Sequence, residues 1–192
     1  MRFPLFLVCL MFGGAGAPVA RAQSAGGHPL EPAGAAVAAL DVTLYNAQAN
    51  LREASDAEKA DLATRVLHTT LARLLPGQLA DSAAVHAAAR SDSALAVAGG
   101  EPCGAIVACA RLAAEAVGAR WVVMAKVSKT SNLIWLLSAQ LVHVPTGAIV
   151  LDDSTELKGD PATMVKVGAR IFAERVARTV RAGGVTNNFP TP

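Results

Sequence analysis

Aromatic residues are scarce: the 192-residue chain holds five Phe, two Trp and one Tyr. That excludes a core built on large rings and leaves Val, Leu, Ile and Ala to fill it. No apolar run approaches the roughly 20 residues that a bilayer-spanning helix needs. Neither sign of charge dominates, with 17 Lys and Arg against 15 Asp and Glu. No basic stripe points to nucleic acid, and no cationic amphipathic helix points to a membrane surface. There are three cysteines. Catalytic signatures are missing too. There is no G-x-S-x-G turn and no Gly-rich strand-to-helix loop to cradle a phosphate. Internal repeats are absent.

What is present begins with an export signal. Met1-Arg2 is a short positive n-region, Phe3–Phe12 an apolar run, and Ala20-Arg21-Ala22 a small-residue cleavage site, so residues 1–22 read as a signal peptide cut before Gln23. Cys9 raises a lipoprotein alternative, but Val8 precedes it where a small residue is wanted, and it lies inside the apolar run. Cleavage removes Arg2 and Arg21 and leaves fifteen basic residues against fifteen acidic ones. It also removes Cys9. The remaining pair, Cys103 and Cys109, fits one disulfide in an oxidising compartment. A bridge requires Cys103 to lie outside the following helix, because six helical residues rise about 9 Å and a disulfide spans at most about 7 Å. Pro102 and Gly104 favour such a break.

Residues 23–35 read as a flexible leader, 36–182 as one α/β domain and 183–192 as a disordered tail. A strand is predicted over Ala36–Tyr45, with Leu40, Val42 and Leu44 alternating. Ser55 and Glu58 form a capping-box pattern ahead of a helix with Leu62, Val66, Leu67, Leu71 and Leu74 on its stripe. Pro76-Gly77 ends it. A weak strand is predicted within Gln78–Arg90, beside an alanine-rich turn of helix too short to count, and a polar, Gly-rich loop follows through Pro102. The next helix covers Ala105–Val117, stopped by Gly118. Arg120–Ser128 is the most apolar strand and takes the central place. Leu133–Val144 and Ala148–Leu157 follow through turns at 129–132 and 145–147, making an antiparallel meander. The last helix has Asp160 as N-cap and Pro161 at N1. Met164, Val167, Ile171, Phe172, Val176 and Val180 carry its predicted docking stripe, so Ile171→Asp is expected to unfold the domain. The order β-α-β-α-β-β-β-α implies a single mixed sheet with helices packed on it.

Three segments carry a resemblance: Gly118-Ala119-Arg120-Trp121-Val122-Val123, then Lys126-Val127, then Ser138-Ala139-Gln140-Leu141-Val142 with Thr146-Gly147. They resemble the TolB-like amino-terminal domain, a periplasmic α/β module also similar to a domain of the curli-secretion outer-membrane protein. The chain is more closely similar to an uncharacterised family of secreted proteobacterial proteins, a domain of unknown function. In that family a cysteine pair precedes a helix and a V-x-K-x-SNLI stretch follows the central strand, here Val127 to Ile134. The chain departs at Ala125, where the pattern has glycine, and at His143–Pro145, where it has an aspartate. It also lacks the tryptophan expected early in the last helix. The resemblance implies a periplasmic interaction module with a protein partner in the cell envelope.

Candidate site residues are few. His28, His68, His86 and His143 show no ligand spacing and no acidic neighbour placed to orient them. They read as surface or boundary residues, with no metal and no cofactor. Asp152 and Asp153 point to opposite faces of a strand and cannot share a ligand. Trp121 and Trp135 fall in apolar strands, where packing is the commoner fate. The turn bearing Lys129, Ser131 and Asn132 is the polar cluster that could present groups to a partner, although the same residue types also simply make turns. Together these readings give a non-catalytic periplasmic or secreted protein-interaction or assembly module. The alternative is a small-molecule binder or sensor accessory with a pocket beside the central strand.

Overall fold

The computed structural model describes residues 36–46, 53–131 and 134–184. The predicted signal segment, the predicted leader and most of the predicted tail lie outside the described residues. Those residues form five strands and five α-helices in three layers. Strands β1 (Val37–Ala39), β2 (Thr43–Asn46), β3 (Trp121–Lys129), β4 (Trp135–His143) and β5 (Ile149–Leu157) make one mixed sheet. β1 and β2 both pair in parallel with one edge of β3, while β3, β4 and β5 form the predicted antiparallel meander. Helices α1 (Asp56–Leu74) and α5 (Pro161–Arg181) cover one face, packing on each other and on the sheet. Helices α2 (Ser82–Ala89), α3 (Asp92–Ala98) and α4 (Val107–Ala116) cover part of the other.

The core is aliphatic, as the shortage of aromatics requires. Val37, Leu67, Leu71, Val123, Val127, Leu141, Val165 and Phe172 build the cluster under α1 and α5. Small residues dominate the opposite cluster, where Ala38, Ala94, Ala110, Ala113 and Ala114 let α3 and α4 approach the sheet closely. Trp121 and Trp135 are both buried in the first cluster. At Gly168 in α5, a Cβ would lie 2.6 Å from Leu137 Cδ2, so the Leu137 side chain of β4 packs directly over the bare backbone of the helix there.

Several local expectations change. The predicted first strand is split, because Val37 pairs with Trp121 and Thr43 with Lys126, leaving one extra residue on the β1–β2 side. That bulge sends Leu40 into the α4-side cluster and Val42 into the α1-side one, instead of leaving them on one face. Helix α1 supplies the lost backbone partners. Val42 N donates to Thr64 Oγ1 at 2.8 Å, and His68 Nε2 lies 3.3 Å from Leu40 O. The weak strand predicted within 78–90 contracts to a single bridge, Leu79 beside Val37, and the alanine-rich stretch is a full helix instead. Asp81 caps it, accepting from Ala84 N at 2.8 Å. Ser91 likewise caps α3 inside the predicted loop. Alanine's helix propensity together with those two caps explains both helices.

The capping box at α1 does not form. Ser55 makes no side-chain cap, and the carboxylate of Asp56 accepts from Glu53 N at 2.9 Å instead. By contrast, Asp160 caps α5 as predicted, accepting from Thr163 N at 2.7 Å. The Thr163 hydroxyl and N–H together hold the Asp160 carboxyl below its ordinary value. α4 ends in two bonds, Gly118 N to Glu115 O and Ala119 N to Ala114 O, which satisfy its last carbonyls.

Cys103 and Cys109 are bridged, with Cα atoms 5.1 Å apart. Cys103 sits in a 3-10 turn (Cys103–Ala105) ahead of α4, so the chain breaks where the sequence required it to. Because the loop is short, replacing both cysteines by serine is expected to cost only about 2 kcal/mol. Intact mass after alkylation without reduction checks the bridge. No added alkyl group is the expected result, and the same mass reads the mature amino terminus.

Candidate functional site

The polar turn is not assembled as the sequence suggested. Lys129 ends β3 pointing inward at 2% exposure, and its ammonium meets Glu53 Oε1 at 2.9 Å and Asp56 Oδ2 at 3.3 Å. Ser131 Oγ accepts from Ile134 N at 3.1 Å, a turn-making bond. Asn132 lies outside the described residues. Lys129 therefore serves the junction between α1 and β3, with Trp135 beneath it, its ring centroid 5.4 Å from the Lys129 Nζ and 4.9 Å from that of Lys59. Burial alone would push the Asp56 carboxyl up; the Glu53 N–H and the Lys129 ammonium outweigh it and hold that carboxyl below its ordinary value. The Glu53 carboxylate, against the opposing effect of burial, raises Lys129, and Asp56 adds to the rise. Asn46 lies opposite Lys129, and its buried side-chain amide has no hydrogen-bond partner among the described residues.

A second feature is the exposed flank of the sheet. Among the described residues β5 pairs with β4 alone, so its nine-residue outer edge is open. On the face away from α5, β4 and β5 present Ser138, Gln140, Asp152 and Ser154 beyond the cover of α4, with Lys126 of β3 beside them. On the α5 side a groove of about 300 Å³ runs between that helix and the edge strand. Its lip carries Val167 and Ile171, 36% and 46% exposed. The predicted stripe of α5 is therefore rotated. Val165, Ala169, Phe172, Ala173 and Val176 face the core, and Ile171 does not. As predicted, the two aspartates diverge: Asp153 pairs with Arg175 in the groove, and Asp152 lies exposed on the opposite face.

The histidines have partners both near and far along the chain. His143 Nδ1 lies 2.8 Å from Thr146 Oγ1, and its ring is 4.7 Å from that of Trp121. His86 Nδ1 is 3.0 Å from Asp41 Oδ2, an acidic neighbour 45 residues away that the sequence reading missed. The Nε2 of His86 is taken by Arg90 NH1 at 3.3 Å, so neither ring nitrogen engages a hydroxyl nucleophile. His28 lies outside the described residues. Among the described residues no three His, Cys, Asp or Glu side chains are grouped to hold a metal ion. No helix among them is long and apolar enough to cross a membrane.

These features define a small three-layer α/β protein with an open sheet edge. A family model described as "Protein of unknown function (DUF2380)" matches residues 35–176, and the chain belongs to that family, DUF3280. Among solved structures, the C-terminal domain of LpoB from Salmonella enterica is 21% identical over 66% of this chain and 84% of its own, with a TM-score of 0.44. A PelC dodecamer from Paraburkholderia phytofirmans is 12% identical, covering 74% of this chain and 89% of that one, with a TM-score of 0.41. Lipoprotein GNA1162 from Neisseria meningitidis is 12% identical, covering 76% and 99%, with a TM-score of 0.40. No curated protein matches the chain.

Proposed function

We propose that this chain is a non-catalytic, exported protein-interaction module of the cell envelope, docking its partner along β5. The observation that carries the reading is the open nine-residue edge of β5 flanked by the groove with exposed Val167 and Ile171. An open edge offers a row of backbone N–H and C=O groups to an added strand, and an adjoining apolar groove takes alternate side chains. The likeness of residues 118–147 to the TolB-like amino-terminal domain and the curli-secretion protein supports an envelope setting. So does the signal-like segment, with residues 1–22 removed before Gln23 and a periplasmic or secreted product.

The test is a photo-reactive residue placed at Ile171 or Ser154 in cells, with Arg65 on the exposed side of α1 as control. A discrete protein adduct is expected from the first two positions and none from the third. Ile171→Asp should leave the melting temperature within a few degrees of the wild type, since exposed substitutions usually change stability by less than about 0.5 kcal/mol, and should abolish the Ser154 adduct. Equal labelling from all three positions would sink the reading.

A further inference from the structure

A cavity of about 340 Å³ lies on the other side of the molecule, where β1 gives way to β2 beside α2 and the disulfide-bound turn. That volume is at the small end of the range for ligand sites, about 300–1,000 Å³. Its wall is drawn in by a close backbone approach. A Cβ on Gly104 would lie 2.9 Å from Thr43 Oγ1 and 3.2 Å from Asp41 O, so the turn packs on the bulge only because residue 104 is glycine. The bridge from Cys103 to Cys109 ties that turn to α4.

Asp41, Arg90 and Glu101 place charges of both signs around this cavity. Arg90 makes no ion pair with a carboxylate, and Glu101 makes none with a cation, among the described residues. The Arg90 guanidinium is held by His86. For Arg90 to donate to Nε2, the imidazole must carry its proton on Nδ1, and that N–H then donates to Asp41. One end of the guanidinium is fixed and its remaining N–H groups are available to an acceptor. Leu95, half-exposed, and Val85 give the same cavity an apolar wall.

We infer that this cavity binds a small zwitterion of the α-amino-acid type, its carboxylate on Arg90, its ammonium on Glu101 and its aliphatic side chain against Leu95. Arg90 and Glu101 face one space with no direct ion-pair partner among the described residues, and a ligand carrying both charges can meet the two together. A ligand with one charge would leave the other group unmatched. Asp41 and His86 act as positioning residues that aim Arg90.

L-leucine, isocaproate and isoamylamine are the probes, titrated into the full mature chain and followed by amide NMR spectra. L-leucine is expected to give saturable shifts at residues 39–43 and 99–104, with each single-charge analogue at least about tenfold weaker. Arg90→Gln and Glu101→Gln should each weaken L-leucine about tenfold without moving the melting temperature, since both lie at the surface. The inference is overturned by the absence of a saturable shift at about 20 mM L-leucine. It is equally overturned by an analogue that binds as well as L-leucine, or by both variants keeping the wild-type affinity.

Discussion

Val165→Asp is expected to unfold the domain. Val165 is fully buried where α5 meets the sheet, in the cluster shared with α1. An unpaired carboxylate there costs several kcal/mol, a large part of the about 5–15 kcal/mol that holds a typical domain folded. Neutralising the new aspartate avoids the charge but still loses the packing of the valine. Six residues on, Ile171 sits on the same helix with nearly half its surface exposed, so the same substitution there leaves the fold intact. Thermal denaturation followed by circular dichroism separates the two. A Val165→Asp protein melting like the wild type would mean that α5 is not docked as described.

Asp56→Ala carries the second large effect. Asp56 is fully buried and Lys129 almost so, and removing one member of a buried pair typically costs about 3–5 kcal/mol because the other charge is left uncompensated. Glu53 still contacts the ammonium, which places the expected loss near the lower end, at about 3 kcal/mol. Denaturant unfolding measures it. The paired replacement Asp56→Leu with Lys129→Met should recover most of the loss, since apolar residues of similar size can replace a buried pair with little penalty. A double variant no more stable than the single one would contradict this account.

The same pair sets a pH window. The Asp56 carboxyl is lowered, so its contribution is complete above its ordinary value of 3.8 and is lost as pH falls through the lower folded value. Lys129 is raised, so its contribution is complete below 10.5 and is lost as pH rises through the higher folded value. Between those limits the pair's contribution to stability is flat. In Asp56→Ala the acid-side loss due to this carboxyl disappears.

Local signals in the chain determined a good deal. The meander was legible because apolar runs at 121–129 and 135–143 are separated by turn residues, and pairing between neighbours follows from short connections. The cap at Asp160, the end of α4 at Gly118 and the bridge between Cys103 and Cys109 were legible for a similar reason. Each depends on residues within six positions of one another. Periodicity also identified α5 as an amphipathic helix. It could not choose which edge of a broad apolar stripe turns inward, because Val167 and Ile171 are as apolar as Val165 and Ala169. The packing of Val165, Ala169, Phe172 and Val176 into the cluster shared with α1 and the sheet made that choice.

What only the tertiary structure decided was long-range charge placement and the bulge. Lys129 in a turn sequence looks solvent-facing; it is buried because Asp56, 73 residues earlier, arrives at the same end of the sheet on α1. Asp41 orients His86 across 45 residues for the same reason. The break between β1 and β2 holds because Thr64 and His68, one turn apart on α1, meet the backbone polar groups it frees. Hydrogen bonds and ion pairs act over a few ångströms of space, whatever the separation along the chain. Sequence alone specified the elements and their local ends; packing α1 and α4 against opposite faces of one sheet decided which polar residues meet.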